Sequence, residues 1–415
     1  LFTNKLRTEF HECEFCCCDF HVIRLCFTFS SVCKSVSNMP QTDLNPEFSV
    51  NNTRAFPSLT QPKIVGSFSV DADRRYIPTG DNLKYLSLPK PGPTGRIHLD
   101  LNEGFEVRQP KPASAKDEQI DHLLRFIVDN LNRGLRERDP EADRTLGTDF
   151  VCFRGLLRMV MCTPYERRTG WIILATRYRG TVYLCAKDTP EKIREEASQT
   201  EQQKRFCYYG FKFEQHVLSD EPDQKPDTSA PVIESEEFCA MFSATLEGNR
   251  VLYGAEMDGV FRTDPLDKRH LMDAALLNRL EFVEVKVKRR ESNQRQVDNF
   301  YRFKTRNWWC QSFLVNIGRI FVGLRDDRGV VDEIREMGLK ELDRDSRQYW
   351  SASVCMAFCS QFLAMVKDTM AGVDCKGTVY RFEYDANRCR NVTYQVFEGP
   401  NEESFLPGWY CSEVK

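Results

Sequence analysis

From Val283 to Lys288 the chain alternates between apolar and charged side chains. Successive side chains of a β-strand point to opposite faces of a sheet, so this period of two predicts a strand with a valine face and a charged face. The charged face carries Glu284 and Lys286 side by side. A carboxylate can hold a hard cation, and a neighbouring ammonium can hold a phosphate oxygen or an attacking water molecule.

A second strand is predicted at residues 251–258, and it brings two more acids. Glu256 and Asp258 are two positions apart, so we expect both side chains on one face of that strand. Two such carboxylates repel each other unless a cation lies between them. The aromatic segment 208–214 ends in a further acid, Glu214. Together with the glutamate and lysine of the first strand, these acids predict a site for one or two Mg²⁺ or Mn²⁺ ions.

The remaining pattern predicts strands and helices that are interspersed along one chain. The predicted strands are 64–70, 171–177, 181–186, 251–258, 281–288, 377–384 and 392–397. Apolar residues at helical spacing predict helices at 117–133, 293–315 and 351–368. Because no clear linker follows residue 64, we expect one α/β (α+β) domain over 64–415, with mixed β-sheets flanked by helices.

The first 63 residues differ from the rest in composition. Residues 1–38 mix cysteine, phenylalanine and charge without a period, and residues 39–62 are rich in Pro, Asn, Ser and Thr. We therefore expect residues 1–63 to be a disordered or spurious extension, with Met39 as a candidate native start. A zinc site at His11, Cys13, Cys16 and Cys18 is the weaker alternative, since no second ligand pair follows at finger-like spacing.

Overall composition excludes several classes of protein. A net charge of -3 argues against a general nucleic-acid coat protein, although metal-binding acids can offset a basic groove. No apolar run is long enough to cross a bilayer, so we expect no membrane association. Most cysteines after residue 64 are scattered in apolar surroundings, which is typical of a reducing compartment.

Several longer stretches resemble the decapping exoribonuclease family, also called DXO or Rai1, in its animal form. These stretches are residues 66–71, 153–166, 210–214, 256–258, 284–286, 300–304, 308–313 and 405–410. The shorter pattern Glu-x-Asp followed by Glu-x-Lys also resembles the metal site of PD-(D/E)xK nucleases. The chain departs from the resemblance at Phe153, where a tryptophan is expected, and at Cys310, where a small alanine is usual.

The resemblance implies roles for individual residues. The implied metal ligands are Glu214, Glu256, Asp258, Glu284 and the backbone carbonyl of Val285. The residues implied beside the scissile phosphate are Lys286 and Gln311, with Glu256 also touching substrate. The segment implied to meet the RNA 5′ end is Phe153, Arg154 and Gly155. The implied outlying substrate contacts are Arg74, Glu118 and Cys239.

The implied activity is magnesium- or manganese-dependent hydrolysis at RNA 5′ ends. The implied substrates are triphosphate, unmethylated-cap and NAD-cap ends, with 5′–3′ exonuclease activity in some members. The resemblance also implies a nuclear location, with the cytoplasm left open, and a 5′–3′ exoribonuclease as a candidate partner.

Four alternatives remain open from the sequence. The protein could be a non-catalytic partner that stabilises such an exoribonuclease, or a DNA nuclease of the broader superfamily. Each short motif could also be a solvated strand face whose charges pair across the sheet. For Arg74, a structural ion pair competes with a role in substrate binding.

Overall fold

We describe the protein from a computed structural model. The structure describes residues 42–51, 55–92, 95–140, 142–271, 273–387 and 391–414. Its strands are β1 (Lys63–Val70), β2 (Tyr76–Ile77), β3 (Tyr85–Leu86), β4 (Leu99–Asp100), β5 (Phe150–Phe153), β6 (Trp171–Tyr178), β7 (Thr181–Lys187), β8 (Leu218–Ser219), β9 (Glu237–Leu246), β10 (Asn249–Glu256), β11 (Gly259–Val260), β12 (Phe282–Arg289), β13 (Arg319–Arg325), β14 (Val330–Gly338), β15 (Val379–Tyr384) and β16 (Thr393–Phe397).

Helices separate these strands along the chain. The α-helices are α1 (Pro46–Asn51), α2 (Asp121–Asn130), α3 (Arg154–Cys162), α4 (Pro190–Ala197), α5 (Glu201–Val217), α6 (Ala274–Leu277), α7 (Gln294–Asn299), α8 (Thr305–Phe313), α9 (Leu339–Ser346), α10 (Ala352–Thr369) and α11 (Gly408–Glu413). No helix in the described ranges is both long and apolar enough to span a membrane.

Two mixed sheets organise the fold. The first has the strand order β16-β15-β6-β7-β5-β10-β9-β1-β2, and β5 runs parallel to both β7 and β10. The second has the order β4-β14-β13-β12-β11-β3-β8, and β12 runs parallel to β13. The chain passes directly from β10 in the first sheet to β11 in the second, so two residues connect the sheets.

Helices cover both faces of the first sheet. On one face α3, α8 and α10 bury the largest apolar cluster, which includes Trp309 and Phe358. On the other face α2 packs against the sheet through residues such as Leu123 and Phe126, and Tyr410 of α11 joins the same cluster. In the second sheet, α5 buries Phe213 against Val283 and Val285 of β12. Each helix therefore contributes an apolar stripe to a shared core, as expected for a mixed α+β domain.

Most predicted elements are confirmed. The hairpin predicted around Gly180 is the antiparallel pair β6–β7, and that glycine takes a φ of 76°, which L side chains rarely adopt. The helix predicted at 351–368 is α10. The helix predicted at 293–315 forms as α7 and α8 joined by a π-helical segment, Phe300–Lys304. The helix predicted at 117–133 is shorter, because α2 begins only at Asp121 after a 3₁₀ turn.

Part of the predicted leader is folded. Residues 46–51 form α1, although the Pro- and Asn-rich composition predicts a flexible segment. Leu44 is buried in the main core, and the backbone N–H of Thr42 donates to the carbonyl of Val392 at 2.9 Å. The predictions for residues 1–41, including the start at Met39, lie outside the described residues.

Candidate metal and phosphate site

The candidate site lies where the chain crosses between the sheets. β10 ends at Glu256 and β11 begins at Gly259, so Asp258 lies in the connection. The prediction that Glu256 and Asp258 share one strand face is therefore wrong. A strand that leaves one sheet to enter another loses its period of two at the crossing. Glu256 instead ends β10 in the first sheet, and Asp258 directly precedes β11 in the second sheet.

β12 supplies the buried part of the site. The Glu284 side chain is 1% exposed and forms an ion pair with the ammonium of Lys286. The same ammonium is 3.9 Å from Oδ2 of Asp258, which accepts a hydrogen bond of 2.8 Å from the backbone N–H of Val285. Since the N–H and C=O of one strand residue point to the same side, the Val285 carbonyl also faces the connection. β12 thus presents a carboxylate, an ammonium and a carbonyl together.

Gln311 reaches the same carboxylate from another element. It lies on α8, and its Nε2 donates to Oε1 of Glu284 at 2.7 Å. The other carboxylate oxygen, Oε2, is buried and accepts no hydrogen bond. Arg154 lies 3.8 Å from this oxygen through its Nη1 atom, which also has no hydrogen-bond partner. A buried carboxylate oxygen and a buried guanidinium nitrogen are therefore both left with unused bonding capacity.

Glu214 comes from a helix that the sequence analysis did not predict. It lies on α5, which begins with a capping box between Thr200 and Gln203. The buried neighbour Phe213 packs α5 against the second sheet, and Glu214 itself is half-buried. Tyr208, Tyr209 and Phe213 thus lie on the core-facing side of this helix, and their packing fixes the rotation of α5 that places Glu214 near the other acids.

Three acids of the site, Glu214, Glu256 and Asp258, have raised pKa values. Burial and the charges of Asp258 and Glu256 raise the pKa of Glu214 well above its ordinary value. Protein atoms packed around the carboxyl group, with Glu237 and Asp258, raise the pKa of Glu256 to about 7, although that residue as a whole is exposed. Burial and Glu284 raise the pKa of Asp258 to about 6. Mutual repulsion of this kind favours a bound cation.

Lys286 responds to the same field in the opposite sense. Burial alone lowers the pKa of its ammonium, but the charges of Glu284 and Asp258 raise it above the ordinary value. Lys286 therefore stays protonated and partly neutralises the acids. In the described residues no three His, Cys, Asp or Glu side chains converge tightly enough to form a metal-ligand group. The acids are nevertheless close enough to repel one another, and the Lys286 ammonium is paired with two of them, Glu284 and Asp258.

These residues fit a divalent cation by their chemistry. Oxygen donors from carboxylates and a carbonyl suit Mg²⁺ and Mn²⁺, and the unpartnered Oε2 of Glu284 offers a free coordinating atom. The raised pKa values of Glu256 and Asp258 would fall when a cation neutralises their repulsion.

Comparison with known proteins gives the family. The sequence profile described as "RAI1 like PD-(D/E)XK nuclease" matches residues 60–411. The chain belongs to this family. It is 35% identical to "Decapping and exoribonuclease protein Rai1" of Drosophila melanogaster, over 87% of this chain and 93% of that protein. It is 32% identical to "Decapping and exoribonuclease protein" of Homo sapiens, over 86% and 87% of the two chains.

A solved structure shares the fold. "Crystal structure of Candida albicans Rai1 in complex with pU5-Mn2+" matches with a TM-score of 0.72 and 18% identity, covering 91% of this chain and 99% of that one. The expected mixed α+β architecture with a PD-(D/E)XK-type domain is therefore confirmed. The assignment of individual site residues stays a prediction, which the geometry of this RAI1-like chain supports to different degrees.

The segment predicted to meet the RNA 5′ end lies at a strand-to-helix junction. Phe153 ends β5 beside Gly254 of β10, and Arg154 begins α3. The Arg154 residue is 7% exposed, whereas Gly155 is exposed, and beyond its chain neighbours and its own helix backbone no atom lies within 4 Å of an added Cβ. The N–H groups of this helix start and the guanidinium are suited to an anion.

Arg74 is held by acids rather than left free. Its guanidinium binds Glu118 at 2.8 Å and Glu237 at 2.7 Å, and it also donates to the carbonyl of Ser235. Arg74 thus forms the structural ion pairs that were the alternative to a role in substrate binding. Cys239 is buried two residues after Glu237 and is paired with Glu256 across β9 and β10. Glu237 links these outlying residues to the candidate site, because it pairs with Arg74 and its charge acts on Glu256.

Glu237 and Lys111 also lie at the edge of the site, although neither was predicted from the sequence. Glu237 binds Lys111 at 2.6 Å in addition to Arg74, and its charge contributes to the raised pKa of Glu256. A signal was available, because Glu237 and Cys239 are two positions apart on one strand and share a face. No motif drew attention to Lys111, which is distant in sequence.

Proposed function

We propose that this chain is a divalent-metal-dependent hydrolase that acts at the 5′ ends of RNA and removes incomplete or non-standard caps. The observation that carries the proposal is the buried Glu284 carboxylate. One of its oxygens is held by Lys286 and Gln311, and the other has no hydrogen-bond partner. Family membership supports the same activity, because relatives that cover most of the chain are named for decapping and exoribonuclease activity.

The proposed ligands of the cation are Glu214, Glu256, Asp258, Glu284 and the carbonyl of Val285. A cation held there would activate water and neutralise charge on the phosphate. The pU5 and Mn²⁺ bound by the Candida albicans neighbour are consistent with such a cofactor and with an RNA 5′ end as ligand. The Lys286 ammonium and the Gln311 amide would then hold a non-bridging oxygen or orient the attacking water.

Arg154 is proposed to grip the 5′ phosphate. Its Nη1 is buried without a hydrogen-bond partner, which is costly unless a ligand completes it. Phe153 and Gly155 flank it, and the open space around Gly155 leaves room for a nucleotide to approach the backbone. Arg74, Glu118 and Cys239 are proposed to shape the outer wall of the cleft.

The proposal is tested with a panel of 5′-end-labelled RNAs bearing a triphosphate, an unmethylated cap, an NAD cap or a monophosphate. Purified protein should release the 5′ group in Mg²⁺ or Mn²⁺ and not in EDTA. The double variant Glu256→Ala/Asp258→Ala should lose all hydrolysis while remaining folded, as shown by a cooperative unfolding transition. A matched control is Glu191→Ala/Asp223→Ala, two acids outside the site. Hydrolysis by the double variant at the parent rate would refute the site, and an inert parent on every RNA would favour a non-catalytic partner.

The cellular location and the protein partner are proposed from the resemblance to the family alone. We propose a nuclear location, with a cytoplasmic fraction open, and association with a 5′–3′ exoribonuclease. Fractionation followed by co-purification of tagged protein checks both. A location confined to another compartment would contradict the nuclear location. The absence of an exoribonuclease from the purified complex would contradict the association.

A further inference from the structure

A line of polar side chains leads away from the candidate site between two helices. Arg154 begins α3 and Gln311 lies on α8, and both approach Glu284. One turn further along each helix, Nη1 of Arg158 on α3 donates to Oδ1 of Asn307 on α8 at 2.6 Å. Residue numbers rise along α3 as they fall along α8, so the two helices are antiparallel. Because residues four apart share a helix face, the line is continuous from the buried carboxylate outward.

Solvent reaches this line of side chains. Most residues of α3 and α8 are buried, but Arg158 and Asn307 are half-buried. Phe303 lies four residues before Asn307 and is 38% exposed. It belongs to the π-helical segment Phe300–Lys304, and this rare geometry is frequent at functional sites. We call Arg158, Asn307 and Phe303 the α3–α8 seam.

Asn307 is held in place by contacts from both helices. Its Oδ1 accepts from Arg158 and, at 3.4 Å, from the thiol of Cys162. Its Nδ2 donates to the backbone carbonyl of Phe303 at 3.2 Å. A side-chain amide is neutral, so Asn307 positions the Arg158 guanidinium without cancelling its charge. Within the described ranges Arg158 forms no ion pair with a carboxylate, and the seam therefore carries a positive charge.

A guanidinium close to an exposed aromatic ring is suited to single-stranded nucleic acid. The guanidinium binds a phosphate, and the ring face stacks on an unpaired base of any sequence. Arg154 and Arg158 are four residues apart, so their positions differ by about 6 Å along the helix axis. This separation is comparable to that of consecutive phosphates in an extended strand. An RNA whose 5′ phosphate lies at Arg154 can therefore bring a later phosphate to Arg158.

We propose that the α3–α8 seam binds the RNA strand downstream of its 5′ end, with Arg158 holding a phosphate and Phe303 stacking on an unpaired base. The occupant is single-stranded RNA rather than a protein, because the seam continues the proposed phosphate site and carries the complementary charge. This inference deepens the proposed function and rests on it for the position of the 5′ phosphate. It favours substrates with several unpaired nucleotides at the 5′ end.

Competition binding in EDTA tests the seam by its dependence on RNA length. The probes are a 5′-triphosphorylated dinucleotide, which offers little downstream strand, and a 5′-triphosphorylated RNA of about ten unpaired nucleotides. The parent should prefer the long RNA. Phe303→Ala should reduce that preference by on the order of tenfold, which is the scale of one stacked base. Arg158→Ala should also reduce it, and should lower the salt slope for the long RNA by roughly 0.7.

Matched variants separate charge and stacking from general effects. Arg158→Lys keeps the charge and should keep the salt slope. Phe303→Tyr keeps the ring and should retain the length preference, whereas Phe303→Leu keeps only apolar bulk and should behave like Phe303→Ala. Arg328→Ala removes an arginine whose side chain is 87% exposed in the turn between β13 and β14, and should bind both RNAs like the parent. A cooperative unfolding transition shows that each variant is folded.

The proposal is overturned if Arg158→Ala and Phe303→Ala keep the parent's preference for the long RNA. Hydrolysis in Mg²⁺ is measured separately on the same proteins. A parent that cleaves RNA 5′ ends while both variants keep its length preference would contradict the seam and leave the proposed function in place. A parent that binds long RNA through the seam but cleaves no 5′ end would contradict the proposed function alone. A parent that binds neither RNA would contradict both.

Discussion

At the scale of single residues, the candidate site depends on a compensated charge. Glu284 is buried almost completely; Lys286 forms an ion pair with one of its oxygens, and Arg154 lies 3.8 Å from the other. Breaking a buried ion pair by removing one partner costs about 3–5 kcal/mol, because the remaining charge is left in a poorly solvated place. In the metal-free protein Lys286 therefore has a structural as well as a chemical role, and its removal should be partly compensated by a divalent cation.

Lys286→Ala should reduce turnover far more than RNA binding. The ammonium lies beside the ligand carboxylate, where charge develops during attack on the phosphate, so its contact strengthens in the transition state. Losing such a contact costs ~3 kcal/mol, or roughly two orders of magnitude in rate. Single-turnover rates at saturating Mg²⁺ measure it, with Lys288→Ala on the same strand as the control. An effect on affinity alone would show that the assigned role is wrong.

Arg154→Ala should weaken RNA binding itself. A guanidinium that holds the ground-state phosphate releases counterions, so its loss should also reduce the salt slope by roughly 0.7 per phosphate contact on a single strand. Arg154→Lys keeps the charge and should retain the slope while losing paired hydrogen bonds. Binding titrations at two salt concentrations measure both variants. Unchanged affinity and slope in Arg154→Ala would remove this residue from the phosphate grip.

At the scale of elements, the packing of α5 on the second sheet decides where Glu214 lies. Gly323 of β13 leaves room for the buried ring of Phe213, because an added Cβ would lie 2.5 Å from that ring. Gly318, just before β13, has no atom beyond its chain neighbours within 4 Å of an added Cβ. The helix that brings the fourth acid is thus positioned by a glycine in a different element.

Gly323→Ala should destabilise the protein by about 1–3 kcal/mol through overpacking and weaken metal binding by displacing α5. Gly318→Ala should change neither by more than ~0.5 kcal/mol. Urea unfolding measures the change in stability, and calorimetric Mn²⁺ titration measures the change in metal binding. If Gly323→Ala binds Mn²⁺ like the parent despite its lower stability, then Glu214 is not a ligand.

At the scale of the whole molecule, the site couples stability to pH and metal. The pKa of Glu256 is about 7 and that of Asp258 about 6, whereas both titrate near 4 in an unfolded chain. The folded, metal-free protein therefore holds more protons than the unfolded chain across this window. Its stability should fall as pH rises from about 4 to 7, as linkage requires.

The unfolding temperature in EDTA should thus decrease between about pH 5 and about pH 7.5 relative to the variant Glu256→Gln/Asp258→Asn, which cannot titrate. Adding Mg²⁺ should stabilise the parent more at the higher pH, because the ligands must be deprotonated to bind it. Differential scanning calorimetry of both proteins measures this. Parallel pH profiles of parent and variant in EDTA would contradict the raised pKa values.

The sequence by itself determined the local helices and strands and the pairing of Glu284 with Lys286 at the centre of the candidate site. The alternation around Glu284 and Lys286 survives folding, because neighbours on one strand keep their relative faces in any sheet. The Gly180 hairpin and helix α10 follow from equally local patterns.

Only the tertiary structure decided which distant residues join the site. Asp258 lies outside its predicted strand because the chain changes sheets there. Glu214 lies on a helix whose rotation is set by core packing. Gln311 and Arg154 meet Glu284 from separate helices, and Glu237 fixes Arg74. Such contacts depend on how sheets and helices pack, which a local period cannot encode, because burial and repulsion between charges act through space rather than along the chain.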